Sequence, residues 1–437
     1  SPVLIVLLLL AGCDFLAIRG GLGASVANVS KAYFSANMFL NHAATNPVFS
    51  FLTSLGDHTD YAAEYPFFDE AGREERFARL RDPSAAAPER VLTTSRPNVV
   101  VVILESFART VMDADVGGLP VMPNMQRLKG EGIWFENFFA NSFRTDRGEV
   151  AILSGFPAQT RMSIMKLPAK SRNLPSLARS LSGAGYATGF SYGGDLNFTD
   201  QASYMYATGW QQLTWQKDLR FDTPPADWGY DDAVMCDWFA DRVIALSGKG
   251  EPFLAGMLTL SSHRPFDVPF SKFDDKELNA FAFSDECVGR MVDKLKASPA
   301  WDNLLLVLVA DHGYPWPRSL SYNEPLRHRI PMIWLGGAVA APRVVDTYAS
   351  QIDICATILG QLGIDHSDFD YSKDIFAPTP PRKFAYYTFN DGFGVVDASG
   401  EAVWDATSGK AVSETAPGLL DIGRTMLQTT YVDIGNR

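Results

Sequence analysis

The sequence predicts an α/β fold: a mostly parallel central sheet with helices on both faces, followed by a small carboxyl-terminal β-meander. Three observations predict it. Asn98–Leu104 reads NVVVVIL, a β-branched run of the kind found in strands buried on both faces. Similar runs recur at Phe253–Leu260, Leu304–Ala310 and Pro331–Leu335. Helical patterns lie between them, and strands alternating with helices argue for a parallel sheet.

The chain has 437 residues, of which 46% are hydrophobic and 20% charged, so disordered, collagen-like and coiled-coil classes are excluded. With 38 Lys and Arg against 50 Asp and Glu, the formal charge is −12, which argues against a nucleic-acid partner. Four cysteines, Cys13, Cys236, Cys287 and Cys355, contain no C-x-x-C pair, so neither a disulfide framework nor a cysteine zinc site is expected.

At the amino end, Val3 to Gly12 is wholly apolar, with Asp14 and Arg19 close behind. A run this short does not cross a hydrocarbon core, which takes about 20 helical residues. Three readings compete: a signal-peptide core, a lipoprotein box at Leu10-Ala11-Gly12-Cys13, or the last part of a transmembrane helix. The first lacks a basic leader, the chain does not begin with Met, and the third is the expectation for residues 1–18. All three put the remainder outside the cytoplasm, here on the extracytoplasmic or periplasmic side of the inner membrane. Residues 19–95 lack strand–helix alternation. Lys31–Leu55 reads as helices lying on a membrane or on the next domain, and Phe68–Pro88 as a linker.

Residues 96–375 are expected to form the main α/β domain. Helices are predicted over Leu174–Leu181, Asp231–Leu246, Leu278–Leu295 and Gln351–Leu362. Residues 376–437 form a small β-rich subdomain, with strands at Phe384–Phe389, Gly394–Asp397 and Ala402–Asp405 joined by Asp391-Gly392 and Ser399-Gly400 turns.

Parallel sheets bind ligands beyond the carboxyl ends of their strands, so chemistry is sought there. Glu105 directly follows the NVVVVIL strand. A carboxylate there is costly unless paired or bound to a cation, although it equally serves as a helix cap. Asp311-His312-Gly313 follows Leu304–Ala310, and adjacent O and N donors at a strand end suggest a site for Mn²⁺, Mg²⁺ or Zn²⁺. A turn in which Asp311 caps amides is the alternative. In Asn141–Gly148, Thr145 or Asp146 falls at the start of a helix, where free N–H groups and the dipole favour anions. A hydroxyl there can act as a nucleophile on phosphorus or sulfur, or simply cap the helix. His263 follows another strand, Phe253–Leu260.

Taken together and in this order, these segments resemble the sulfatase-like phosphoglycerol and phosphoethanolamine transferases of the alkaline phosphatase superfamily, typified by lipoteichoic acid synthase. The resemblance runs over roughly residues 97 to 365. NVVVVILESF resembles the family's first strand with its metal-binding Glu, FFANSFRTDRGE its nucleophile segment, TLSSHRPF its substrate-histidine segment and LVADHG its metal-binding pair. HRIPMIWLGG and DTYASQIDICATILGQLGID resemble its late strand and helix. The resemblance implies one divalent ion, Mn²⁺ ahead of Mg²⁺ or Zn²⁺, held by Glu105, Thr145, Asp311 and His312. It implies Thr145 as nucleophile, His263 and Asp195 at the substrate, a phospholipid donor, a glycan or lipid acceptor and a membrane location.

The sequence departs from the family at Ala202, where an Arg commonly grips the substrate phosphate, and near Asp200, where a Trp is frequent. Arg144 and Arg147 flank Thr145 and are the nearest substitutes, with Arg147 preferred because it lies in the first helical turn. A sulfatase acting on sulfuric esters needs Cys or Ser in a C/S-x-P-x-R setting, and Thr145-Asp146-Arg147-Gly148 has neither that residue nor the Pro. Phosphodiester hydrolysis differs only in using water as acceptor. A non-catalytic binding domain would require loss of the nucleophile or of a metal ligand, and all four residues are present.

Overall fold

The Asn98–Leu104 run forms strand β1, every residue of which is buried, at the middle of an eight-stranded sheet. The computed structural model describes residues 2–22, 25–54, 59–81, 87–378 and 383–437. Leu55 and residues 82–86 of the expected linker lie outside the described residues.

The other strands of this sheet, in chain order, are β2 (Ile133–Phe135), β3 (Ala187–Tyr192), β4 (Gln212–Trp215), β5 (Phe253–Leu258), β6 (Leu304–Ala310), β7 (Met332–Leu335) and β8 (Arg343–Val345). Their spatial order is β8-β2-β7-β6-β1-β5-β3-β4. Strand β1 pairs parallel with both β5 and β6, and β3 pairs parallel with β5 and β4. Only β7 runs against its neighbours β6 and β2. The predicted fold class is therefore the observed one.

Register decides where the chemistry falls. Leu104 pairs with Ala310, so Glu105 and Asp311 leave the sheet side by side. Ile103 pairs with Leu258, so Thr259–His263 leaves beside Glu105. The predicted helices form over Leu177–Gly183, Asp232–Ser247, Lys276–Lys296 and Ile354–Leu362. Asp231 and Asp275 cap two of them through amides at their starts.

Three strands, β3, β4 and the three-residue edge strand β8, were not legible. Gly189 and Ser191 interrupt the apolar run in the first, and the second is a short edge strand with alternating burial. The apolar segment Ile133–Phe139 does not form one strand: it is split into β2 and a separate two-residue strand at Phe138–Phe139.

The carboxyl-terminal segment contains the expected meander: Ala385–Phe389, Gly392–Asp397, Gly400–Asp405 and a fourth strand, Lys410–Glu414. It is followed by a helix the sequence reading lacked, Leu419–Asn436. That helix packs on Tyr61–Ala63 and on Glu70–Ala78. Part of the expected Phe68–Pro88 linker is thus helical, capped by Asp69, whose carboxylate accepts from the Gly72 amide at 2.8 Å. Buried hydroxyls join the layers: Thr160 bonds Tyr65 at 2.9 Å and Tyr431 at 2.8 Å.

At the amino end, Pro2–Arg19 is an 18-residue helix of mean hydropathy 2.2 with no buried residue, long and apolar enough to cross a membrane. The run outlasts the Val3–Gly12 segment because Phe15–Ile18 continues the apolar surface past Asp14. The helices Met38–Ala44 and Pro47–Ser54 follow, exposing Phe39, Val48 and Leu52. Between them and the first helix, Val29–Ala32 docks on the helix Gln201–Ala207, where the Ser203 amide donates to Ser30 Oγ at 2.8 Å and Asn28 Nδ2 donates to the Asn197 carbonyl at 2.7 Å.

Candidate active site

The carboxyl ends of β1, β5 and β6 open into a cleft of about 340 Å³ that also receives the start of the helix Thr145–Ser154. Thr145 is the first residue of that helix, so its hydroxyl sits at the positive end of the dipole. Thr145 Oγ1 donates to Glu105 Oε2 at 3.3 Å.

Glu105 is fixed from three sides. Its amide donates to Thr259 Oγ1 at 2.8 Å, its carbonyl accepts from Ser262 Oγ at 2.6 Å, and its Oε1 accepts from Ser106 Oγ at 2.6 Å. Ser106 holds a positive φ of 60°, strain that the neighbouring bonds compensate. Its amide donates to Asp311 Oδ1 at 2.7 Å, as does the amide of His312, also at 2.7 Å. Asp311 Oδ2 is buried with no hydrogen-bond partner.

His312 Nδ1 lies 3.2 Å from the Gly313 carbonyl, which keeps the proton on Nδ1 and leaves the Nε2 lone pair facing the carboxylates. Nε2 is 3.5 Å from Asp311 Oδ2 and 3.8 Å from Glu105 Oε1. Ligand atoms of Glu105, Asp311 and His312 all fall within 4.8 Å of one another. Burial, and then the Asp311 charge, push the Glu105 carboxyl well above its usual range. Burial lowers the His312 imidazole, keeping it neutral. Two buried carboxylates beside a neutral imidazole and an orphaned oxygen are an unstable set without a cation, and O, O, N and hydroxyl donors suit a divalent one.

Gln351 ties this group to the nucleophile loop. Gln351 Nε2 donates to the carbonyls of Ala310 and Asp311, both at 2.7 Å, while its Oε1 accepts from the Asn141 amide at 2.7 Å. Asn141 in turn holds Tyr386 and Ala158 through its side chain. Sequence reasoning missed Gln351, because a Gln at the start of a helix gives no signal of its own. It also missed Glu149, which is buried four residues after Thr145 with neither carboxylate oxygen paired. Burial, with Asp311 and Asp146 nearby, raises Glu149 well above the carboxylate range.

His263 reaches the cleft, half-buried against Trp228 with ring centroids 4.8 Å apart. Its Nδ1 is 2.7 Å from the Arg264 carbonyl, so Nδ1 carries the proton and Nε2 is left for a ligand. Arg144 is exposed and lines the cleft.

Two expected substrate contacts lie elsewhere. Arg147 does not line the cleft: it is buried, its guanidinium donates to the Thr160 carbonyl at 3.2 Å, and its Cζ lies 5.0 Å over Phe143. Two residues along a helix amount to a rotation of about 200°, so a residue at that spacing faces away from Thr145. Asp195 also lies outside, folded onto its own turn, where its Oδ1 accepts from the amide and the side chain of Asn197, each at 2.9 Å. At the position expected to carry a phosphate-gripping Arg, Ala202 is buried and Gln201 is the side chain that lines the cleft. His328 is buried and stacked on Tyr387 with centroids 4.0 Å apart.

The comparisons with known proteins agree with this geometry. A phosphoglycerol transferase I of Xanthomonas campestris pv. campestris is 26% identical over 332 residues, covering 68% of this chain and 45% of that protein. Lipoteichoic acid synthase 2 of Bacillus subtilis is 24% identical over 307 residues, covering 62% of this chain and 46% of its own length. The chain thus spans less than half the length of these relatives. Among solved structures, an alkaline phosphatase superfamily protein from Vibrio parahaemolyticus matches with TM-score 0.73 and 23% identity over 86% of this chain and 98% of that one. The lipoteichoic acid synthase LtaP from Listeria monocytogenes matches with TM-score 0.69 and 19% identity over 84% and 98%. The Sulfatase family model matches residues 97–364, which is the sheet with its cleft from β1 to the end of the last helix behind it, and the chain belongs to the sulfatase family.

Proposed function

We propose that this chain carries the catalytic domain of a membrane-anchored, metal-dependent transferase that moves a phosphoglycerol or phosphoethanolamine group from a phospholipid to a glycan or lipid of the cell envelope through a phospho-threonine intermediate. The observation that carries this reading is the Thr145 hydroxyl at a helix start, hydrogen-bonded to Glu105 inside the Glu105–Asp311–His312 group. The names of the curated relatives support the transferred group.

In this mechanism Glu105, Asp311, His312 and Thr145 hold one divalent ion, Mn²⁺ ahead of Mg²⁺ or Zn²⁺. Such an ion supplies Lewis-acid polarisation of a phosphoryl oxygen and a lower hydroxyl pKa. The Oγ1 of Thr145 attacks phosphorus, a P–O bond forms, and the P–O bond to diacylglycerol breaks. The departing oxygen takes a proton from His263 in its imidazolium form, which carries a proton on Nε2 as well as on Nδ1, and the Thr145 proton leaves to solvent. In the second half the acceptor hydroxyl gives its proton to His263 Nε2 and attacks phosphorus, the bond to Thr145 breaks, and Thr145 Oγ1 takes a proton back from solvent. Arg144 stands at the mouth, where an anionic headgroup enters.

Thr145 has no route to the aldehyde hydrate that sulfuric-ester hydrolysis in this family uses, which favours phosphoryl over sulfuryl transfer. The exposed helix Pro2–Arg19 and the exposed Phe39, Val48 and Leu52 support a membrane anchor and an interfacial surface. The proposed location is the extracytoplasmic face of the inner membrane, with the donor approaching along the bilayer. The test is release of diacylglycerol from phosphatidylglycerol or phosphatidylethanolamine vesicles by protein loaded with Mn²⁺. Release that stops on chelation and returns with added ion is expected, and no release from either lipid would overturn the proposal.

A further inference from the structure

Four cationic side chains line the cleft: Arg144, Lys166, Arg264 and Arg327. Three of them are exposed, and Lys166 is already engaged with Asp146 at 3.5 Å. Arg327 differs. It is 4% exposed, sits in the short turn Pro325–His328 just before β7, and is held by its own backbone, whose carbonyl packs under Gly313. Its Nε and Nη1 have no hydrogen-bond partner, and among the described residues no carboxylate lies within ion-pair distance of it. The guanidinium packs with its Cζ 5.4 Å over the Tyr322 ring.

Its neighbour in sequence shows how unusual this is. Arg329 is ion-paired with the Glu136 carboxylate at 2.8 Å, although its Nε too lacks a partner. A buried guanidinium left without an anion is expensive, and natural folds pair such groups. Arg327 instead has no carboxylate partner: its guanidinium meets Tyr322 on the wall of the cleft that Thr145 also lines, next to the His312-Gly313 turn. A planar fork with unused N–H donors matches two oxygens of a tetrahedral phosphoryl group.

We propose that Arg327 is the residue that grips the non-bridging oxygens of the substrate's phosphodiester. This rests on the phosphoryl-transfer reading above and adds the anion-binding side chain to it. With Ala202 buried and Arg147 turned away, Arg327 supplies the charge in the interior of the cleft, and Arg144 and Arg264 supply it only at the rim. Because the fork is buried and rigid, it selects a phosphodiester by shape as well as by charge, and aligns phosphorus for attack by Thr145 Oγ1.

The experiment measures binding of inorganic phosphate to the Mn²⁺-loaded protein by calorimetry, and the KM and kcat for diacylglycerol release from phosphatidylglycerol vesicles. Wild type, Arg327→Gln, Arg327→Lys and Arg147→Ala are compared. For Arg327→Gln the expected result is phosphate affinity weaker by about 10–100-fold, with bound metal and melting temperature unchanged. Arg327→Lys recovers part of the affinity, and Arg147→Ala leaves it at the wild-type value. A raised KM accompanies the lost affinity in Arg327→Gln. Unchanged phosphate affinity in folded, metal-loaded Arg327→Gln overturns the inference while leaving the transferase reading in place. A fall in melting temperature with affinity and KM unchanged does the same, assigning Arg327 to the Tyr322 stack. A wild-type protein that neither binds phosphate nor releases diacylglycerol overturns the transferase reading itself.

Discussion

Gly148 lies directly against the backbone of Asp311: a Cβ at position 148 would overlap the Asp311 carbonyl oxygen. The nucleophile helix and the strand end that carries Asp311 and His312 therefore meet without any side chain between them. Thr145 reaches Glu105 because that approach is so close.

Gly148→Ala is expected to push the helix off the strand end. Overpacking of this kind costs about 1–3 kcal/mol. The loss should appear as a lower denaturation midpoint together with lost divalent-ion binding, measured by metal analysis of the purified variant. A variant that keeps both would show that the contact is not what sets the site.

Asp311→Asn removes one of the two buried carboxylates while keeping the amide contacts of Ser106 and His312 within reach of the remaining oxygen. The expected outcome is loss of bound divalent ion and of turnover by more than about 100-fold, with the far-ultraviolet circular dichroism unchanged.

Glu149→Gln addresses pH. Burial raises the Glu149 carboxyl in the folded protein, so the native state holds that proton longer than the unfolded chain does. Its contribution to stability is therefore full below the unfolded carboxylate pKa and is lost as pH rises through the raised native value. Denaturant midpoints at saturating Mn²⁺, taken between about pH 4 and 8, should fall less with rising pH in Glu149→Gln than in wild type. Parallel pH profiles would contradict the assignment.

Arg147→Ala should act on stability and not on the substrate. It leaves the Thr160 carbonyl without its donor, a loss of about 1–3 kcal/mol for a buried group. The KM for the lipid donor should match that of wild type.

His263→Ala should lower kcat by about 100–10,000-fold while bound metal stays at the wild-type level, because His263 sits on Trp228 and not among the metal donors.

The sheet and the metal group were legible because both are local signals. NVVVVIL and LLLVLVA are buried on both faces and admit little but strand, and the residue after each is the one the register then brings together. Orientation was the part that composition could not carry. Arg147 stands two residues from Thr145 in sequence and on the opposite side of the helix in space. Asp195 follows a Gly-Gly pair, and its side chain is used up by the Asn197 turn. Gln351, Glu149 and Arg327 draw their significance from what lies across the fold, 40, 162 and 16 residues from Asp311 in sequence. The helix Leu419–Asn436 was missed because Thr and Gly punctuate its apolar pattern, and tertiary packing on Glu70–Ala78 outweighs that weak propensity.

The central claim is a covalent intermediate on Thr145. The most direct measurement is peptide mass spectrometry of the Mn²⁺-loaded protein after incubation with phosphatidylglycerol vesicles and rapid acid quenching. The account predicts a Thr145-containing peptide heavier by one phosphoglycerol group, absent from Thr145→Ala and absent after chelation. Diacylglycerol release in Thr145→Ala at the wild-type rate, with no added mass on the wild-type peptide, would contradict it.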